Sequence, residues 1–259
     1  GNIWRFPYLA AKYGGGIFLF VYIILAVTFG FVLMITEIAI GRKTGLSAIE
    51  AYGAINKKFK FLGILTSLVP IIILPYYSVI GGWVMKYLAV YIAGQGSEAA
   101  GAKFFGNFIS EPIEPVLWFL FFIGLTAIIV LLGVQKGIEQ ASRILMPILV
   151  VLSVAVAVYS VTLPGAMEGV KYYLLPDFSK FSVNTVLGAM GQLFYSLSLA
   201  MGIMITYGSY MKRDVDLVPS ARQIDIFDTG IAFIAGLMIL LAVFSFPAEA
   251  PQKPVPGLM

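Results

Sequence analysis

The sequence predicts an all-α, polytopic membrane protein of about six and a half spans, with a broken first and a broken sixth helix. Three observations carry this. Of 259 residues, 60% are hydrophobic and 12% charged, and mean hydropathy is +0.95. A soluble domain carries roughly 25% charged residues, so lipid must be the solvent for much of this surface. Six apolar runs, 16–41, 61–93, 115–134, 144–163, 183–211 and 223–246, reach the ~20 residues that a spanning helix needs. Glycine and polar residues then interrupt the pattern at two points, before the first run and within the fifth.

The opening stretch 2–13 is too short to span and ends at Gly14-Gly15-Gly16, so it reads as the outer half of a broken helix. The runs near 115–163 are almost pure Leu, Ile, Val, Phe and Ala, a scaffold composition. The tail from Pro247, with Pro251, Pro254 and Pro256, reads as loop. By repeat, the chain divides into 1–163, an extracellular loop 164–182, and a second repeat 183–259. With no initiator Met at its start, it is expected to be a piece of a longer protein that does not transport by itself.

Lys and Arg set the orientation, because cytoplasmic loops carry them in excess. Alternate loops hold ten (Arg42, Lys43, Lys57, Lys58, Lys60, Lys136, Arg143, Lys212, Arg213, Arg222) against four (Lys103, Lys171, Lys180, Lys253). The loops 42–60, 135–143 and 212–222 are therefore assigned to the cytoplasm, and Arg5 and Lys12 to the outer side. The net charge of +4 follows from these loops; no basic face or helix accompanies it, so nucleic acid is not a partner. With no Cys and no His, disulfides, thiol nucleophiles and His-based metal sites are excluded. A bound metal would have oxygen ligands. The Ser residues have no evident base, so the sequence reads as non-enzymatic, with no catalytic residues.

Ionisable groups at membrane depth are costly and usually functional. Asp228, about six residues into the last predicted span, reads as a cation ligand or proton carrier. Glu37, near the cytoplasmic end of its span, reads as an interfacial acid or one bonded to irregular backbone. The run Gly191-Gln192-Leu193-Phe194-Tyr195-Ser196-Leu197-Ser198-Leu199-Ala200-Met201-Gly202 places an amide, a phenol and two hydroxyls at mid-span, beside small residues that let a helix unwind. Unwound backbone at that depth is tolerated only around a cavity. Tyr76 and Tyr77 lie mid-span, with Ile73 on the same face as Tyr77. Arg5 reads as a snorkelling side chain or as a gate. A broken first helix and a polar-interrupted helix five spans later match inverted-repeat transporters, in which half-helix ends face an anionic substrate and unwound carbonyls face the cation.

The motifs Gly1-Asn2-Ile3-Trp4-Arg5-Phe6-Pro7-Tyr8, Gly14-Gly15-Gly16-Ile17-Phe18, Glu37-Ile38-Ala39-Ile40-Gly41-Arg42, Tyr76-Tyr77 with Trp83, Lys136-Gly137-Ile138-Glu139 with Met146-Pro147, and 191–202 occur in order along the chain. Together they resemble the neurotransmitter:sodium symporter family, in its bacterial amino-acid transporter branch. The resemblance implies sodium-coupled uptake of an amino acid by a multi-pass protein of the cell membrane, with Na+ as coupling ion and no cofactor. It implies a sodium site at Asn2, Ser196 and Asp228. Substrate contacts would come from Gly1, Ile73, Tyr77, Tyr195, Ser196, Ser198 and Met201, and an extracellular gate from Arg5, Tyr195 and Gln192. Tyr22, Gln192 and Ser196 match three chloride-site positions of animal members. The fourth, a Ser there, is Ala232 here, and Asp228 would supply the negative charge, so chloride-independent transport is expected. Tyr195 replaces a usual Phe, and Ala200-Met201-Gly202 replaces a Gly-aromatic-Gly pattern, which favours a large apolar or aromatic amino acid. An amino-acid sensor without transport is the alternative; a channel is disfavoured. Oligomeric state is left open.

Overall fold

The computed structural model describes residues 1–101 and 103–245; the side chain of Gln135 is outside the description, as is the predicted loop from Pro247. All its regular elements are helical among the described residues. The chain opens with α1 (Arg5–Lys12), then α2 (Gly16–Leu25), a π-helical turn (Ala26–Gly30) and α3 (Phe31–Thr44). Short α4 (Ala48–Ile55) leads to α5 (Lys60–Ile92). Then come α6 (Gly96–Ala99), α7 (Phe104–Ser110), α8 (Glu114–Leu131) and, after a π-helical turn, α9 (Gln140–Val161). Last are α10 (Ala166–Leu174), α11 (Val183–Ser196), α12 (Ile203–Tyr210) and α13 (Leu217–Ser245).

Five stretches among the described residues are long and apolar enough to cross a membrane: Gly16–Thr44, Lys57–Ile92, Glu114–Leu131, Lys136–Val161 and Leu217–Ser245. The sixth predicted run, 183–211, is instead split between α11 and α12. The last span begins at Leu217, six residues earlier than the hydropathy suggested, so Asp228 is its twelfth residue and not its sixth. The predicted loops 42–60, 94–114 and 164–182 contain α4, α6 with α7, and α10, helices too short or too polar to register as spans.

Packing divides the chain into two units: Leu68–Pro147, and Gly1–Ser67 with the described residues from Ile148 onward. In the latter, a core of Phe6, Phe18, Tyr22, Met34, Leu193, Leu197 and Leu240 joins α1, α2, α3, α11 and α13. Phe6 meets Phe18 and Tyr22 edge-on, at ring-centroid distances of 5.5 and 4.9 Å, which seats α1 on α2. The turn between these helices uses Gly14 and Gly15 at φ 91° and 60°, a region that glycine enters without strain. Above it, the Tyr172 hydroxyl of α10 donates to the Ala11 carbonyl at 2.9 Å, and Gly15 pairs with Pro176. Tyr172 lies outside the spans, and burial raises the pKa of its hydroxyl, keeping this donor protonated.

Two glycines let α3 and α12 touch backbone to backbone. A Cβ on Gly41 would meet the Ile205 carbonyl, and one on Gly208 the Ile38 carbonyl. Neither obstacle is a side chain that can rotate away, so both substitutions overpack. Gly208→Ala is expected to destabilise the protein by about 1–3 kcal/mol; an unchanged melting curve would show that the helices separate freely.

In the Leu68–Pro147 unit, Gly81 and Gly82 face Phe122 and Phe119 of α8, and Trp83 packs edge-on against Phe105 at 5.1 Å. Lys86, six residues before the end of α5, pairs with Glu114, the first residue of α8, at 2.5 Å.

Candidate cation and substrate site

The fifth predicted run unwinds over 197–202. Ser198 and Ala200 take φ of 53° and 57°, and Gly202 is left-handed at 70°. Each non-glycine residue there costs about 1–3 kcal/mol unless its surroundings hold it. Leu197 and Leu199 are buried on either side of Ser198. Glu37 on α3 accepts the Ala200 N–H at Oε1, 2.7 Å away. Of its two sequence readings, bonding to irregular backbone is the one observed. Its second oxygen, Oε2, is buried with no partner among the described residues.

Just before this break, Ser196 ends α11 opposite Asn2 and Asp228. The Asn2 Nδ2 donates to Asp228 Oδ1 at 2.7 Å and to the Asp228 carbonyl at 3.1 Å. These bonds fix the amide orientation, leaving Asn2 Oδ1 toward Ser196. The Ser196 Oγ lies 2.5 Å from Asn2 Oδ1 and 2.6 Å from Asp228 Oδ2. A hydroxyl has one proton to donate, so it cannot satisfy both acceptors. Asn2 Oδ1, Ser196 Oγ and Asp228 Oδ2 thus form a cluster of hard oxygens with an acceptor surplus, the chemistry that suits a small alkali cation.

The other predicted residues divide into groups. Gly1 turns its carbonyl into α1, accepting from the N–H groups of Arg5 and Phe6 at 3.1 Å each, and lies beside the Tyr195 ring. The Arg5 guanidinium is 4.9 Å from that ring centroid and 3.5 Å from the Gly191 carbonyl. Gln192, grouped with these two in the sequence reading, is 0% exposed, and neither amide atom has a partner among the described residues. The Tyr22 hydroxyl is also buried, with no partner among the described residues. Ser198 and Met201 lie in the unwound segment, half-buried. Ile73 and Tyr77 lie on α5 in the other unit, Tyr77 at 47% exposure; Tyr76 is exposed too, so neither tyrosine is a core residue within the described chain.

Sequence reasoning passed over Asp225. It is 8% exposed, and its Oδ1 is buried without a partner among the described residues. Its spacing from Asp228 and Ala232 (three and seven residues) is the signal that places it on the inward stripe of α13.

A model of the Sodium:neurotransmitter symporter family matches residues 1–96 and 109–258. The chain belongs to this family. It is 37% identical, over 98% of its length, to an uncharacterized sodium-dependent transporter of Bacillus subtilis, covering 57% of that protein. Among more distant relatives is the sodium- and chloride-dependent GABA transporter 2 of Homo sapiens, 24% identical, of which it covers 49%. The crystal structure of MhsT in complex with L-phenylalanine matches with a TM-score of 0.91 and 40% identity, over 98% of this chain and 59% of that one. The chain thus spans between 49% and 59% of the length of these relatives. Family membership and the five long apolar helices make it a multi-pass membrane protein with the symporter fold.

Proposed function

We propose that this chain carries the cation and substrate site of a sodium-coupled amino-acid symporter that works by alternating access. The observation that carries this reading is the oxygen cluster of Asn2, Ser196 and Asp228, with more acceptors than protons. Its donors fit Na+, which would be held by these three side chains. When bound, the ion supplies positive charge beside the amino-acid carboxylate, so each ligand strengthens binding of the other. Gly1 would meet that carboxylate, and Ser198 and Met201 would line the side-chain pocket. Tyr195, with Arg5 over its ring, would close the outer side as a gate, and Gln192 would border it.

A large apolar or aromatic amino acid is the substrate favoured by Met201 between Ala200 and Gly202, since Met adapts to irregular bulk. The similarity to a transporter crystallised with L-phenylalanine points the same way. The loops 42–60, 135–143 and 212–222 would face the cytoplasm. Chloride would not be required: Ala232 offers no hydroxyl, and the Asp228 carboxylate one helical turn earlier supplies a negative charge. Chloride-stimulated uptake with Asp228 intact would refute this part.

In the full-length protein, Asn2→Ala or Ser196→Ala is expected to raise the sodium concentration for half-maximal amino-acid binding about tenfold or more, one lost charge-assisted hydrogen bond being worth roughly 1.5–3 kcal/mol. Unchanged sodium dependence in both variants would sink the assignment. Counterflow of labelled amino acid in vesicles separates a transporter from a sensor.

A further inference from the structure

We propose that Asp225 is a second, charged carboxylate of the cation site, a positioning residue that raises affinity for Na+ through its field without ligating it. The proposal rests on the sodium reading of the Asn2, Ser196 and Asp228 cluster.

The position of Asp225 is unusual. On α13 the buried stripe runs through Leu217, Ala221, Asp225, Ala232 and Ala235, while the neighbours Ile224, Ile226 and Phe227 are exposed. The residue therefore sits on the inward stripe of the helix, with its Oδ1 buried in the protein. No ion pair among the described residues involves it, and its Oδ1 has no hydrogen-bond partner there. A buried carboxylate in that state is strongly disfavoured unless positive charge lies close by or it takes a proton. The surroundings repeat the pattern. The Thr229 hydroxyl, one helical turn further along α13, and the Tyr22 hydroxyl of α2 are likewise buried with no partner among the described residues.

Asp228 is already engaged: Oδ1 by Asn2 and Oδ2 by Ser196. Three residues on a helix separate groups by about 5–6 Å between Cβ atoms. A cation held by Asp228 therefore sits within one turn of Asp225, in a medium where charges at such distances interact strongly. Two carboxylates facing one monovalent cation favour its entry and make its departure slower.

The decisive variant is Asp225→Asn, isosteric with a protonated Asp. In the full-length protein it removes the charge and keeps shape and hydrogen-bonding capacity. The readout is thermal stabilisation by NaCl against choline chloride without substrate, followed by labelled amino-acid binding across a sodium titration. Asp225→Asn is expected to raise half-saturating sodium in both by about tenfold, with wild-type binding at saturating sodium, while Asp225→Glu stays within about threefold of wild type. Equal sodium dependence of Asp225→Asn and wild type overturns the proposal, since it makes Asp225 a neutral structural group. If Asp225→Asn unfolds, Asp225→Glu and Asp225→Ser decide, with retention of low sodium demand by the uncharged Ser counting against it. Failure of the site reading itself looks different: Asn2→Ala and Ser196→Ala would then leave sodium dependence unchanged.

Discussion

Asp228→Ala is expected to abolish sodium-dependent amino-acid binding by the full-length protein over the accessible sodium range. The side chain takes the Asn2 amide at one oxygen and the Ser196 hydroxyl at the other. Its removal takes away both the negative charge and the groups that orient the two remaining ligands. Truncating one member of a desolvated, hydrogen-bonded charge network costs about 2–5 kcal/mol, or roughly thirty- to several thousand-fold in apparent sodium affinity. Asp228→Asn should be milder, because the amide oxygen still accepts one bond. A sodium titration of substrate binding ranks the three proteins, and an Asp228→Ala variant with wild-type sodium demand would remove Asp228 from the site.

Glu37→Ala is expected to lower both stability and substrate affinity, although Glu37 touches neither ion nor substrate in this reading. Its Oε1 holds the Ala200 N–H in a segment where two non-glycine residues are left-handed. The lost charge-assisted bond is worth about 1.5–3 kcal/mol, and the strain at Ser198 and Ala200 is then unopposed, at about 1–3 kcal/mol each. The segment should relax toward helix and carry Ser198 and Met201 out of register, so binding falls at least tenfold at saturating sodium, by the ~1.4 kcal/mol that each decade represents. Glu37→Gln retains an acceptor oxygen and should recover much of the loss. An alanine variant that binds substrate as tightly as wild type would show that the unwound segment holds itself.

Much of this was legible in the chain because it depends on local pattern. The spans follow from apolar length, the turn after the opening helix from three consecutive glycines, and the break between α11 and α12 from hydroxyls and small residues in an apolar run. Asn2, Ser196 and Asp228 were named from motif positions, and they do converge. The anchoring by Glu37 was not legible, since its partner is a backbone N–H 163 residues away and no side-chain pattern marks a backbone donor. Asp225 escaped for another reason: it is the ninth residue of α13, but the hydropathy window began the span at 223 and left it at the very start. The short helices α4, α6, α7 and α10 are 8, 4, 7 and 9 residues long, too short to give a signal at the length of a span.

The glycine seats at Gly41 and Gly208 have a mechanical consequence. Backbone contact without intervening side chains leaves no compliant layer between α3 and α12, so the pair behaves as one lever. The unwound segment 197–202 is a joint at one end of that lever, between α11 and α12. The π-helical turn Ala26–Gly30 interrupts regular winding at the other, between α2 and α3. Gly30 of that turn also lies directly against Leu193 and Leu197, so in a close-packed interior a shift at one break in winding is expected to be felt at the other.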